Sequence, residues 1–200
     1  EPLWAHYKRI IKDNGAIVLT ASQPFTSALV MSNIKMFKYD WVWRKSRVTG
    51  VLNAKKQPLR TKEDVIVFSN GVAIYNPQGL IESNKQANTG VSKSGKQGLA
   101  TGKIKQTETG TYHQEFANYP RNIIEIPSEG KTLHPTQKPV ALFEYLIKTY
   151  TNEGELVLDN CAGSGTTAIA CLRTNRNYIL IEQETKYCDI ANKRIAEFTP

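Results

Sequence analysis

Long apolar runs are missing from this chain: no segment reaches the roughly 18 consecutive apolar residues that a membrane-crossing helix needs. The opening stretch EPLWAHYKRIIKDNG lacks the basic start, apolar block and small-residue cleavage site of a secretory signal. A soluble, cytoplasmic chain without membrane contact is therefore expected. Cysteine is scarce. Cys161, Cys171 and Cys188 are odd in number, form no Cys-x-x-Cys pair and sit in apolar patterns, which favours buried free thiols over disulfides or zinc ligands. His6, His113 and His134 lie far apart in sequence, so no metal site is expected. Two other absences are local. No acid stands between Asp40 and Glu63, and residues 76–111 contain no aromatic side chain.

The 200 residues, 40% of them apolar, suffice for one main core and leave room for one embedded module. Charge is distributed unevenly. Residues 41–110 hold 12 Lys and Arg against 4 Asp and Glu, an excess equal to the +8 of the whole chain. The acid-free block contains Arg44, Lys45, Arg47, Lys55, Lys56, Arg60 and Lys62. A charge run is often only a solvated surface, but one of a single sign beside an acidic C-terminal quarter favours a polyanionic partner.

Periodicity places helices and strands in alternation. Leu3, Trp4, Tyr7, Ile10 and Ile11 form one helical stripe, closed at Asn14-Gly15. AIVLTAS (16–22) reads as a buried strand, 26–36 as an amphipathic helix, and YDWVWRK (39–45) and DVIVFSN (64–70) as strands, with Trp41 and Trp43 expected in the core. Residues 76–111, with six glycines and many polar side chains, read as a loop or insertion that orders on a partner. Order returns at YPRNIIEIP (119–127). A helix follows to Tyr150, with Thr136 as a candidate cap and Pro139 in its first turn. Leu156 to Glu182 then reads as strand, glycine turn, helix and strand, and a last helix carries Tyr187, Ile190, Ala191, Ile195 and Phe198 on one face.

The turn Gly163-Ser164-Gly165-Thr166-Thr167-Ala168 fits the loose G-x-G-x-x-G/A pattern of a nucleotide site. Thr166 follows Gly165 where a phosphate-binding loop needs lysine, which argues against that motif. A dinucleotide would bring a diphosphate to the helix N-terminus. Asp159, four residues before Gly163, would then face it with a like charge in a partly desolvated cleft. S-adenosylmethionine reverses that sign: it carries an ammonium and a sulfonium, has no phosphate, and its ribose hydroxyls suit Glu182. A dinucleotide site and a merely structural turn remain open alternatives.

LDNCAGSGTTAIA with YILIE, preceded by LHPTQKP and a helix, resembles the amino-directed DNA methyltransferases (N6-adenine and N4-cytosine) in the permuted order, catalytic half before cofactor half. The resemblance covers nearly the whole chain except 71–118. It implies an α/β fold, a Rossmann-like S-adenosylmethionine-dependent methyltransferase sheet with an inserted target-recognition region. The implied divisions are an incomplete catalytic half over 1–70, the recognition insertion over 71–130 and the cofactor half over 131–200. Asp159, Cys161, Ala162, Gly163, Ser164, Gly165, Thr166 and Thr167 correspond to the cofactor-binding turn and Glu182 to the ribose acceptor. His134, Thr136 and Lys138 fall in the segment that closes over the methionine end. Cys161 stands where the family often has Phe.

The implied reaction moves a methyl group from S-adenosylmethionine to the exocyclic amino group of a base in double-stranded DNA, with N6 of adenine favoured over N4 of cytosine. The family performs it with an Asp/Ser/Asn-Pro-Pro-aromatic tetrad that accepts the amino hydrogens and stacks the extruded base. No Pro-Pro pair occurs in these residues. The tetrad is expected upstream of residue 1, no catalytic residue is assigned within the chain, and residues 1–200 alone are expected to be inactive or nearly so. A C5-cytosine enzyme is disfavoured, because no cysteine follows a proline to serve as its nucleophile. An RNA methyltransferase, a catalytically dead DNA-binding fragment and a dinucleotide-dependent oxidoreductase remain alternatives. A cognate restriction enzyme is a conceivable partner, and the chain is expected as monomer or homodimer.

The basic block, with Lys93, Lys96 and Lys103 from the insertion, is the expected DNA contact surface. Lysines and arginines on phosphates make affinity steeply salt-dependent but carry no sequence information. Replacing Lys55, Lys56 and Arg60 together with alanine is expected to weaken binding to all duplexes alike in an electrophoretic mobility assay. Wild-type affinity that is unchanged between low and moderate salt would count against it.

Overall fold

The computed structural model describes residues 2–88 and 111–198 and separates into two compact units, 1–76 with 121–200, and 77–120. The larger unit begins with α1 (Pro2–Ile10), β1 (Ile17–Ala21), α2 (Phe25–Ser32), β2 (Phe37–Thr49) and β3 (Arg60–Phe68). A short 3-10 turn (Val51–Asn53) lies between β2 and β3. The run Val65-Ile66-Val67-Phe68 is fully buried, which makes β3 the central strand. It pairs antiparallel with β1 on one side and β2 on the other. The short strand β6 (Ile123–Glu125) adds parallel to the outer side of β2.

Alternation along these strands divides their side chains between two apolar layers. Trp41 and Trp43, two residues apart, join Val65 and Val67 on the face covered by α3 (Val140–Tyr150). Each indole nitrogen is satisfied there: Trp41 Nε1 donates to the Tyr150 hydroxyl (2.6 Å) and Trp43 Nε1 to the Ile126 carbonyl (2.8 Å). Ile66 and Phe68 point the other way, to Tyr7 and Trp4 of α1 and to Leu29 and Val30 of α2. Trp4 meets Phe68 edge-on at 4.8 Å. Helices thus cover both faces of the four-stranded sheet, so neither half of its valine- and isoleucine-rich strands needs to face water.

The C-terminal third continues with β7 (Leu156–Asp159), α4 (Thr166–Arg173), β8 (Asn177–Leu180) and α5 (Thr185–Phe198). β7 and β8 are parallel and in register, Leu156 opposite Asn177 and Asp159 opposite Leu180. Val157 and Tyr178 pack on α3 and α4 with Ile169, Ala170 and Cys171, whereas Leu156, Leu158 and Ile179 are exposed. The helix expected after His134 starts at Val140, behind an extended Pro139. Thr136 does not cap it. The Glu129 carboxylate accepts the Val140 N–H at 2.9 Å, a cap delivered from eleven residues upstream.

The smaller unit, 77–120, pairs β4 (Ile81–Asn88) antiparallel with β5 (Thr111–Ala117), with Ile81 opposite Ala117 and Asn88 opposite Thr111. Both strands overlap the segment expected to lack order by itself. Cross-strand backbone hydrogen bonds hold the two strands together. Lys93, Lys96 and Lys103 lie outside the described residues. The unit is narrower than the insertion expected over 71–130, because residues 123–125 extend the main sheet instead. Cys171 is buried, but Cys161 is exposed, unlike the buried thiol expected there. Among the described residues no helix is long and apolar enough to cross a membrane.

Leu142, on the sheet-facing side of α3, is completely buried against Trp41, Trp43, Val65 and Val67. Leu142→Ala is expected to cost about 2–5 kcal/mol in denaturant-induced unfolding, the transfer of a large apolar side chain plus the cavity left behind. A loss under about 1 kcal/mol would place this helix outside the core.

Candidate functional site

β7 delivers Asp159 to the edge of the glycine turn, and α4 begins immediately after that turn. Gly163 (φ 51°) and Gly165 (φ 78°) both take the left-handed conformation. Close approach adds a second constraint. A Cβ on Gly165 would lie 2.8 Å from the Ala191 Cβ on α5, and one on Gly163 would meet the His134 ring at 3.4 Å. Only glycine satisfies both the torsion and the space at 165.

Two carboxylates organise the turn. Asp159 accepts the Cys161 N–H (3.0 Å) with one oxygen and the Thr167 hydroxyl with the other, tying the end of β7 to the first turn of α4. Glu182, just beyond β8, accepts the Gly163 N–H (2.8 Å) and the Glu184 N–H (3.0 Å). Those backbone donors, Glu184 first and Gly163 second, hold its carboxyl below the usual range. Ala162, Ser164, Thr166 and Thr167 are buried and form the floor. From α5, Arg194 donates to the Ser164 carbonyl (2.6 Å) and fixes the turn from behind.

Residues 129–139 form a strap over this turn. His134 stacks edge-on against Tyr187 (4.2 Å between centroids), while its Nδ1 contacts the Thr136 N–H and hydroxyl. The Gln137 side-chain oxygen accepts from the Leu133 N–H (2.9 Å) and the Ser164 hydroxyl (2.8 Å), so strap and turn are joined directly. Lys138 is not a solubilising surface lysine. Its ammonium lies 3.0 Å from Glu63 on β3, and Lys45 on β2 reaches the same carboxylate at 3.2 Å. The three side chains are only 17%, 19% and 9% exposed. Glu63 therefore anchors the strap to the main sheet.

Chemically, the turn presents acid at the ends of two adjacent parallel strands. Although its side chain is exposed, partial desolvation against the turn raises the Cys161 thiol, and Asp159 and Glu182 raise it further. Burial pushes Cys171 up to about 12. Neither is an activated nucleophile. Each carboxylate carries about four lone-pair sites and uses two, which leaves capacity for an ammonium or for hydroxyls. A diphosphate would meet two like charges. The donor set thus fits an adenosyl ligand with a cationic tail.

The expected DNA-contact residues fall into distinct groups. Arg44 pairs with Glu125 (2.8 Å), Lys62 with the buried Asp64 (2.7 Å), and Arg47 donates to the Gly130 carbonyl (3.1 Å). Lys45 is turned inward, a correction to the surface role expected for it. Register explains this: Trp43 and Lys45, two apart on β2, share the inward face. Lys55, Lys56 and Arg60 are exposed around the β2–β3 connection and make no ion pair among the described residues. Sequence patterns also missed Glu129, Gln137, Arg194 and Glu63. Only Gln137 carried a signal, its place inside HPTQKP.

The N6_N4_Mtase family, described as DNA methylase, matches residues 1–193. The Type II methyltransferase M2.MboI of Moraxella bovis is 45% identical over 73 residues, 36% of this chain and 26% of that protein. M.HinfI of Haemophilus influenzae is 44% identical over 72 residues, 36% of this chain and 20% of that protein. The aligned segments thus span about a quarter or less of those relatives. The crystal structure of the M1.HpyAVI-SAM complex superposes with a TM-score of 0.66 at 28% identity, covering 96% of this chain and 79% of that one. The cytosine-N4-specific PvuII DNA methyltransferase gives 0.61 at 16% identity, over 94% and 69%, a likeness of fold.

A depressed carboxyl stabilises the folded turn above the ordinary glutamate range and loses that contribution as pH falls through its folded-state value. Hydrogen-exchange protection of the Gly163 amide is therefore expected to hold at neutral pH and to drop only once the pH falls below the ordinary glutamate range, ahead of the core strands. Protection at Gly163 that tracks the core through this range would contradict the Glu182 contact.

Proposed function

The chain belongs to the N6_N4_Mtase family of DNA methylases, and on that premise we propose that its glycine turn binds S-adenosylmethionine for methylation of an exocyclic amino group in duplex DNA. The observation that carries this is the pair Asp159 and Glu182 flanking a turn held in left-handed conformation at Gly163 and Gly165. Asp159 would take the ammonium and Glu182 the ribose hydroxyls. Ala162, Gly163, Ser164 and Thr166 would form the wall beside the ligand, and the strap from His134 to Pro139 would cover its methionine end. When bound, S-adenosylmethionine supplies an electrophilic methyl group on a sulfonium. The residues of this chain would hold that group in place, with His134, set edge-on against Tyr187, on the strap side and Asp159 and Glu182 keeping the site acidic.

N6 of adenine is the favoured position and N4 of cytosine the alternative; an RNA target would use the same cofactor half. Residues 1–70 would act as the target-side half and 131–200 as the cofactor half, with the recognition region, expected over 71–130, centred on the separate unit 77–120. One observation favours a second reading for residues 1–200 by themselves. They contain no Pro-Pro pair, and on this second reading the isolated chain binds without turnover.

Calorimetry tests the cofactor site: S-adenosylmethionine is expected to bind, and Asp159→Asn to weaken it on the order of ten- to a hundredfold, the range for removal of a charge-assisted hydrogen bond. A nicotinamide dinucleotide that binds in its place would overturn the assignment. Labelled methyl transfer to duplex DNA, absent with residues 1–200 and present with a form extended by an upstream tetrad, tests the rest. Transfer to RNA in preference to DNA would redirect the substrate.

A further inference from the structure

The connection between β2 and β3 combines two properties that rarely coincide on a surface. Every residue from Ser46 to Lys62 is exposed, and the segment carries Arg47, Lys55, Lys56, Arg60 and Lys62 with no acid. At its tip stand Val51 and Leu52, 63% and 102% exposed. The tip is nevertheless ordered. Gly50 turns it with a left-handed φ of 87°, and backbone bonds Asn53 N to Gly50 O, Ala54 N to Val51 O, and Lys56 N and Gln57 N to Asn53 O wind residues 50–57 into short helical turns. A presented leucine on a preformed scaffold loses little conformational freedom when something covers it.

The flanking charge identifies what covers it. An apolar tip flanked by Lys55, Lys56 and Arg60, and by no acid, fits a polyanion with apolar surface inside its charged shell. That is the constitution of duplex DNA: phosphates outside, base faces and thymine methyls within. Groove edges offer leucine few contacts, whereas a partly unstacked base step offers an apolar slot, and proteins that open such steps insert side chains of this kind. Chemistry on a base within a duplex requires that base to leave the stack, which creates such a slot.

We infer that the β2–β3 tip is a DNA wedge: Leu52, backed by Val51, enters the base stack while Lys55, Lys56 and Arg60 hold the adjoining phosphates. This rests on the DNA reading above and assigns the tip a task that phosphate contact alone does not include.

The two contributions separate in a salt series. The 200-residue chain is titrated against a mixed-sequence duplex by fluorescence anisotropy. The triple variant Lys55→Ala/Lys56→Ala/Arg60→Ala flattens the log–log salt slope by about 3, roughly one unit for each phosphate left without its cation. Leu52→Ala leaves the slope unchanged and lowers affinity about tenfold at every salt concentration, the scale for one apolar side chain returned to water. In Leu52→Trp, the added indole emission is quenched on duplex binding and becomes protected from acrylamide. Wild-type affinity for DNA with Leu52→Ala indistinguishable from wild type, or an added indole that stays quencher-accessible in the complex, overturns the wedge and leaves the DNA reading standing. Absence of any salt-dependent DNA affinity in the wild type overturns both. Leu52-dependent binding to phosphatidylserine vesicles, or Leu52-dependent self-association, with DNA binding indifferent to Leu52, assigns the tip to those partners and overturns the wedge.

Discussion

The C-terminal region of this protein depends on one electrostatic arrangement, two carboxylates held at the ends of adjacent parallel strands by the backbone of a glycine turn. Asp159 and Glu182 are not loose surface acids. Each accepts a backbone N–H of the loop it serves, and Asp159 also accepts the Thr167 hydroxyl on α4. The loop positions the acids and the acids position the loop, so its geometry and negative charge belong to one unit. The same unit explains the neighbours. Gly165 lets α5 approach closely enough for Arg194 to reach the Ser164 carbonyl, and Gly163 leaves room for the His134 ring.

A second arrangement joins this turn to the main sheet. Glu63 receives Lys45 from its neighbouring strand and Lys138 from the strap, while Gln137 fastens the strap to Ser164. Breaking one partner of such a sheltered cluster leaves an uncompensated charge, so its members must be present together. The strap is consequently held at both ends, on β3 of the main sheet and on the glycine turn.

Local patterns made the elements legible before any coordinates. The alternation of Trp41 and Trp43, the apolar run in β3 and the strand-turn-helix around Gly163 each reflect contacts within a few residues, which sequence periodicity encodes directly. Non-local partners were hidden. Nothing near Val140 announces that Glu129 caps its helix, and nothing in Lys45 or Lys138 distinguishes an inward ammonium from a solvated one, because Glu63 reaches them only through folding. β4 was hidden for a related reason: its residues are polar, and its order derives from pairing with a strand more than twenty positions away. The exposed leucine at the β2–β3 tip likewise gains meaning only when burial is known, since the same residue in a core strand would pass without notice.

Selection of a cation over a diphosphate by the glycine turn is the claim on which the cofactor site stands. A crystal structure of the chain grown with S-adenosylmethionine or its demethylated product tests it most directly. The expected result is the ligand's amino group against the Asp159 carboxylate and its ribose against Glu182. A turn filled instead by the diphosphate of a nicotinamide dinucleotide, with the adenosyl ligand excluded, would contradict it.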